Sequence, residues 1–329
     1  MLIEQTGLSM ERALITGAAG FAAGHLIEWA KGQGAAVLGL DRTANWSINS
    51  PEEQNRVDVD ILPWDIADPK GLTEADYRRI VDFQPTVAFH LAALSVPKLC
   101  GQTEMTDLAY RVNVLGTRRV IELIERLNGI MSPVRLVLIS SSHVYGSSRI
   151  KEAPFCSEET PVCCQNGYAQ SKYQAETEVL AATQARRIEG LVIRAFQHTG
   201  PRQTGELMLP EWLDQIASGA NLLRIHSREI LLDLTDVRDM VRGYWQTAQQ
   251  GKSGAVYNLG GGNQVTCGTI LETLFALCGK RYPILETKPG EKIAPLSNCR
   301  QLQLDNINWI PEILLEQTLR DSLAWRSML

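Results

Sequence analysis

With 329 residues, 44% of them hydrophobic and 21% charged, the chain has the composition of an ordinary soluble globular protein and length for one large domain or two closely joined ones. Its formal net charge of -5 comes from interspersed acids and bases, so no basic stripe speaks for nucleic acid or an anionic membrane surface. No apolar run approaches the ~20 residues of a bilayer span, and the opening MLIEQTGLSMER lacks the basic-then-apolar order of a secretory signal; a cytoplasmic protein is expected. Met10 offers an alternative start, because the first strand-like run begins after it.

That run, RALITG (12–17), is short, apolar and closed by glycine, and AAGHLIEWAKGQG then spaces its apolar residues as a helix does. AAVLGLD (35–41), a third strand ending before PWDIAD, TVAFHLAA (86–93), VRLVLISS (134–141) and LVIRAF (191–196) follow. Helical segments at about 104–127 and 168–187 separate the later ones. Short strands buried on both faces, alternating with amphipathic helices, predict a parallel sheet covered on both sides. From about 197 the rhythm changes: HTGPRQTG reads as a loop, PEWLDQIASG and TDVRDMVRGYWQTAQQG as helices, and AVYNLGGG as one more strand. The tail holds prolines at 283, 289, 295 and 311 and reads as a smaller irregular lobe over the strand ends. Seven cysteines (Cys100, Cys156, Cys163, Cys164, Cys267, Cys278, Cys299) lie at irregular spacing without a C-x-x-C pair, which predicts reduced thiols and no metal site.

In such a fold ligands sit beyond the carboxyl ends of the strands. There, ITGAAGFAAGHL places Gly17, Gly20 and Gly24 between a strand and a helix, with Phe21 among them. Glycines permit the tight turn and close approach to a pyrophosphate, and the helix N-terminus supplies N–H groups and positive potential. Asp41 closes the second strand, where a carboxylate accepts hydrogen bonds from the adenosine ribose hydroxyls. It repels a 2'-phosphate, so NAD is the expected cofactor; the neighbouring Arg42 keeps NADP open. Asp65, followed by Ile66, stands after the third strand as an adenine ligand or a helix cap. The fold class expected is therefore α/β: a Rossmann-like doubly wound parallel sheet with a smaller C-terminal α/β substrate lobe. Residues 1–196 form the NAD(P)-binding domain, joined by about 233–260, and residues 197–329 form mainly the substrate-binding lobe.

GYAQSKYQAE sets Tyr168 and Lys172 four residues apart on one helical face. A phenol with a pKa near ~10 transfers protons poorly at neutral pH, and a lysine ammonium beside it is expected to lower that value; Lys172 can also hold the nicotinamide ribose, so Tyr168 and Lys172 count among the cofactor contacts as well.

TGAAGFAAGHL, DIAD, HLAA, VNVLGT, SSSHVYG, YAQSK, RAFQHTGP, DVRDM and YNLGGG together resemble the extended short-chain dehydrogenase/reductases, the NAD-dependent epimerase/dehydratase family, over nearly the whole chain. The resemblance implies Tyr168 as proton donor or acceptor, Lys172 as its partner, and a catalytic hydroxyl four residues before Tyr145, which is Ser141. It also implies NAD contacts from Leu91, Ala92, Ala93 and Asn113, and a homodimer through a four-helix bundle built on the 104–127 and 168–187 helices. Sugar-nucleotide 4,6-dehydratases of this kind place an acid where this chain has His143, which weakens that reading. RAFQHTGPRQ and LDLTDVRDMVRGYW resemble the GDP-6-deoxy-D-mannose reductases. That similarity implies reduction of the 4-keto group of a nucleotide-linked 6-deoxy sugar, a nucleotide-diphosphate sugar being the substrate. Ser95, Ser142, His143 and Gln197 are candidate substrate contacts. The chain departs from that group at Ala195 (usually proline), Gln197 (usually asparagine) and Leu232 (usually a diphosphate-binding arginine), so Arg202, Arg228 or Lys288 would have to supply the missing cation. Two other readings remain open at this level: a nucleotide-sugar 4-epimerase with tightly held NAD, and a non-catalytic dinucleotide-sensing or scaffold protein.

Overall fold

A computed structural model describes residues 11–43, 59–147 and 155–327; Met10 lies outside them. Seven strands form the central sheet: β1 (Arg12–Thr16), β2 (Ala36–Asp41), β3 (Asp60–Pro63), β4 (Val87–His90), β5 (Arg135–Ser141), β6 (Glu189–Ala195) and β7 (Val256–Leu259). Their order is β7-β6-β5-β4-β1-β2-β3, and every pairing is parallel. The order reverses between β1 and β4, which opens a crevice at their carboxyl ends.

Alternation along each strand feeds two cores. Ala13 and Ile15 of β1 point into the layer that holds Leu26, Phe89 and Trp245, while Leu14 points into the layer of Leu62, Ile124 and Leu138. Helices α1 (Phe21–Gly32), α2 (Glu74–Phe83), α3 (Gly116–Asn128) and α4 (Gly167–Gln184) cover the sheet in chain order, α5 (Met208–Ala217) opens the second lobe, and α6 (Val237–Gln250) returns to pack on α1. Strand β7 likewise returns to pair with β6. The segment expected as one helix at 104–127 is broken. A short helix at Asp107–Ala109 passes into a π-helical stretch, Tyr110–Leu115, before α3. The wider turn carries Asn113, and Gly116 follows it where a Cβ would meet the Ile66 side chain at 2.7 Å.

The second lobe is built on the strand Ile230–Asp233, paired antiparallel with Gln264–Thr266 and parallel with Lys292–Ile293. Helices α5, α7 (Cys267–Cys278) and α8 (Leu315–Ser327) enclose its own core around Trp212, Leu271 and Leu319. Among the described residues no helix is long and apolar enough to cross a membrane.

Candidate active site

A cavity of about 740 Å³ runs along the crevice between the sheet and the second lobe. One end is the glycine turn. Gly17 has φ +71°, and a Cβ there would stand 2.7 Å from the Ala92 backbone nitrogen; glycine alone combines that conformation with that approach. Gly20 precedes α1 with no side-chain cap, and the first turn holds no acid. Its N–H groups and positive end therefore remain available to an anion, and Gly17, Gly20 and Phe21 line the wall. Gly24 does not. It is buried one turn into α1, where its N–H donates to the Gly20 carbonyl at 3.0 Å.

Asp41 faces this end from β2. One carboxylate oxygen accepts the Ala19 N–H at 3.1 Å, and the other accepts the Thr43 N–H and hydroxyl at 3.1 and 3.2 Å. A carboxylate has about four acceptor positions, so Asp41 steadies the turn and still offers one to the cavity. Arg42 lies beside it, exposed. Asp65 lines the same end, holding its own turn through the Ala67 N–H at 2.8 Å, and Ile66 is buried next to it. Leu91, Ala92 and Ala93 form the wall after β4. Asn113 lies behind that wall and does not line the cavity. Its amide NH2 is fully engaged, donating to the Leu94 carbonyl at 3.1 Å and the Ser171 hydroxyl at 2.8 Å, while its oxygen takes the Leu94 N–H at 2.7 Å. It pins the wall to α4.

A glycine turn that no Cβ could enter, an uncapped helix N-terminus and a carboxylate at the second strand end fit a dinucleotide. The pyrophosphate would lie over Gly17–Phe21 and the adenosine ribose beside Asp41.

Deeper in the cavity, β5 and α4 bring Ser141, Tyr168 and Lys172 together, all buried. Asn166 caps α4 through the Ala169 N–H at 2.9 Å and so fixes where Tyr168 stands. The Ser141 hydroxyl lies close enough to the Tyr168 phenol to draw its pKa down, and it accepts the His143 N–H at 3.3 Å. Lys172 donates to the Ile139 carbonyl at 2.9 Å. The expected lowering of the phenol pKa by the lysine does not appear, because burial outweighs it. Burial pushes Tyr168 up to about 12, only partly opposed by Ser141, while burial pulls Lys172 down to about 8 against the attraction of Glu176. At neutral pH the phenol keeps its proton and the lysine its charge.

Ser142 and His143 continue the wall after Ser141, Gln197 faces them from the end of β6, and Ser95 stands exposed on the opposite rim. The His143 ring meets Tyr168 edge-on, centroids 5.3 Å apart. Burial, then the charge of Lys292, pulls His143 down to about 4, so it is neutral at physiological pH. The His143 Nδ1 and Gln197 Oε1 atoms are buried with no hydrogen-bond partner among the described residues.

The three proposed replacement cations are placed elsewhere. Arg202 is clamped on Glu28 of α1, with one N···O distance of 2.7 Å, and on His25 Nδ1 at 2.6 Å. Arg228 pairs with Glu272 at 3.3 Å. Lys288 is exposed, its backbone N–H on the His226 carbonyl at 2.9 Å. None of them lines the cavity, and Leu232 does. Tyr244 of α6 was not anticipated: it lines the cavity with its hydroxyl buried and unpartnered among the described residues. Val237, Met240, Val241 and Tyr244 follow helical spacing, so the stripe reads as core and hides its polar tip.

The model of the NAD dependent epimerase/dehydratase family matches residues 13–260. The GDP-6-deoxy-D-mannose reductase of Pseudomonas aeruginosa is 30% identical over 251 residues, 71% of this chain and 80% of that protein. The dTDP-glucose 4,6-dehydratase of Neisseria gonorrhoeae is 25% identical over 336 residues, covering 95% of this chain and 94% of its own. The UDP-glucose 4-epimerase of Thermus thermophilus, solved with NAD, shares the fold with a TM-score of 0.80 at 22% identity, over 96% of this chain and 98% of that one. The cradle, the Ser141–Tyr168–Lys172 set and these matches agree: the chain belongs to the NAD dependent epimerase/dehydratase family, the extended short-chain dehydrogenase/reductases.

Proposed function

We propose that the protein reduces the 4-keto group of a nucleotide-linked 6-deoxy sugar, of the GDP-4-keto-6-deoxymannose kind, with NAD(P)H as reductant and Tyr168 as proton donor. The family is one of NAD(P)-dependent enzymes that modify nucleotide sugars, and reductases, dehydratases and epimerases all stand among the relatives. The observation that carries the choice is the protonated Tyr168 phenol beside Ser141, with neutral His143 edge-on against its ring at 5.3 Å. Elimination of water needs an acid and a base poised at neighbouring carbons. The wall carboxylates among the described residues are Asp41 and Asp65 at the adenosine end and Glu206, which is paired with Lys98 at 2.9 Å.

The bound dinucleotide supplies the hydride. As charge builds on the ketone oxygen, Ser141 donates a hydrogen bond to it and Tyr168 gives it the proton. The Lys172 ammonium stabilises the phenolate left behind. His143 and Gln197 offer their unpartnered atoms to the sugar. The Asp41 carboxylate supports NAD over NADP, because it sets a negative charge where a 2'-phosphate would lie.

Incubation with GDP-4-keto-6-deoxymannose and NADH is expected to give stoichiometric NADH loss and the 6-deoxy sugar nucleotide. Interconversion of sugar-nucleotide epimers without net cofactor loss would replace this reading by the epimerase. The enzyme is further proposed to work as a cytoplasmic homodimer through the outer faces of the 107–128 segment and α4, the latter exposing Tyr173 (41%). A monomer mass by light scattering at micromolar concentration would refute the dimer.

A further inference from the structure

One turn beyond Lys172, α4 carries a second buried charge. Glu176 is 0% exposed. Its carboxylate takes Arg194 of β6 through Nε at 3.1 and 3.2 Å and Nη2 at 2.8 Å. Ser140, next to Ser141, donates to the same carboxylate at 2.5 Å. The remaining Arg194 nitrogen, Nη1, donates to the Tyr145 hydroxyl at 3.0 Å, and that hydroxyl donates to Asn258 Oδ1 at 2.7 Å. The chain of bonds thus joins β5, the 142–145 turn, α4, β6 and β7. Those include both elements that place Ser141, Tyr168 and Lys172.

A buried ion pair adds little net stability, because desolvation offsets its attraction, and apolar residues of similar volume fill such space as well. Its position therefore suggests a task beyond packing. We propose that Glu176, held by Arg194, is a positioning residue for the reaction: it keeps Lys172 in its charged form and fixes the strand end that presents Ser141.

The groups facing Lys172 leave Glu176 as its source of negative charge among the described residues. His90 of β4 is pulled down to about 3 by burial and by Lys172 itself, so it is neutral. The Cys100 thiol, from the 97–100 segment, is pushed up by burial and is neutral too. Tyr168 keeps its proton. Lys172 donates to the Ile139 carbonyl at 2.9 Å and Glu176 accepts the hydroxyl of the next residue, Ser140, at 2.5 Å, so both side chains are tied to one strand end; there burial favours the uncharged amine at Lys172, and Glu176, with a smaller part from Cys100, opposes it.

This rests on the hydride-transfer reading for the role of Lys172, so the test reads cofactor binding instead of turnover. NADH fluorescence is titrated with the full-length protein from about pH 6 to about 10. Wild-type affinity is expected to fall with a midpoint near about 8, and Lys172→Met should lack that limb. Glu176→Gln should move the midpoint down by about one unit, and Glu176→Asp should restore most of it. If Glu176→Gln does not fold, the double variant Glu176→Gln/Arg194→Gln leaves no orphan charge and should shift the midpoint the same way by less. A midpoint unmoved or raised in the folded variant, or a wild-type titration with no alkaline limb, overturns the proposal. A downward shift with no reduction of GDP-4-keto-6-deoxymannose by the wild type would sink the substrate reading and leave this one standing.

Discussion

The two halves of the cavity are built on different principles. The half around Gly17 and Asp41 comes mainly from one contiguous strand–turn–helix–strand unit, and it offers mostly backbone groups and two carboxylates, Asp41 and Asp65. The half around Gln197, Leu232 and Tyr244 is assembled from side chains on segments far apart in the chain. The first is fixed by conformations that few residues can adopt. The second is fixed by which side chain happens to occupy each place, so it can change substrate while the first stays the same.

Where the halves meet, chemistry depends on single groups, and the largest effect is expected there. Tyr168→Phe should lower the rate of ketone reduction by ~10²–10⁴-fold, the usual worth of general acid catalysis, with NADH affinity unchanged. Stopped-assay rates alongside NADH fluorescence titration separate the two. Retained turnover would remove Tyr168 from the mechanism and would favour a sensing or scaffold role.

In the cofactor half, Gly17→Ala should abolish measurable NADH binding and cost ~1–3 kcal/mol of stability. The added methyl would meet the Ala92 backbone at 2.7 Å with φ at +71°, and no flexible side chain is there to yield. Thermal unfolding and NADH titration check the two parts. Wild-type affinity in this variant would show that the turn does not hold the dinucleotide.

The turnover profile should reflect the same burial. Lys172 sits at about 8, below its ordinary value, and is charged below that pH. Tyr168, pushed up to about 12, stays protonated throughout. Rates should therefore be level near neutrality and fall about tenfold per pH unit above about 8. A rate that rises through that range would mean that a deprotonated Tyr168, and so oxidation, sets the working direction.

In the substrate half, Gln197→Leu is expected to raise KM for the keto sugar about tenfold with NADH affinity unchanged, since a site built to bond a polar group discriminates through that bond. An unchanged KM would mean that the buried Gln197 oxygen does not meet the substrate.

The same division explains what could be read from the sequence. Strand runs buried on both faces, the glycine turn and Asp41 carry their geometry locally, so the sheet and the cofactor cradle were legible. Tyr168 and Lys172 are legible as a pair on one face of a recognisable helix, whereas among the three serines after β5 only the family resemblance singles out Ser141. Three things were hidden. The π-helical turn at Tyr110–Leu115 has no pattern of its own, so the bonds by which Asn113 holds Leu94 and Ser171 do not show along the chain. Burial, which sets the Tyr168 pKa, cannot be counted along a chain. A cation's partner lies wherever the fold brings it, and for Arg202 that is Glu28 on α1.

Arg228 gives the smallest effect and the sharpest contrast. The sequence offered it as a substitute for the arginine missing at Leu232, which would make Arg228→Ala lose substrate affinity through a broken charge-assisted bond. The structure sets its guanidinium 45% exposed on Glu272, away from the cavity wall. An exposed pair of this kind contributes ~0–1 kcal/mol. Arg228→Ala should therefore leave KM and NADH affinity unchanged and shift the melting temperature by no more than a few degrees. A rise in KM of about tenfold or more would mean that the second lobe closes on the substrate far enough to bring Arg228 to the diphosphate, and the substrate half would then be a site completed by its ligand.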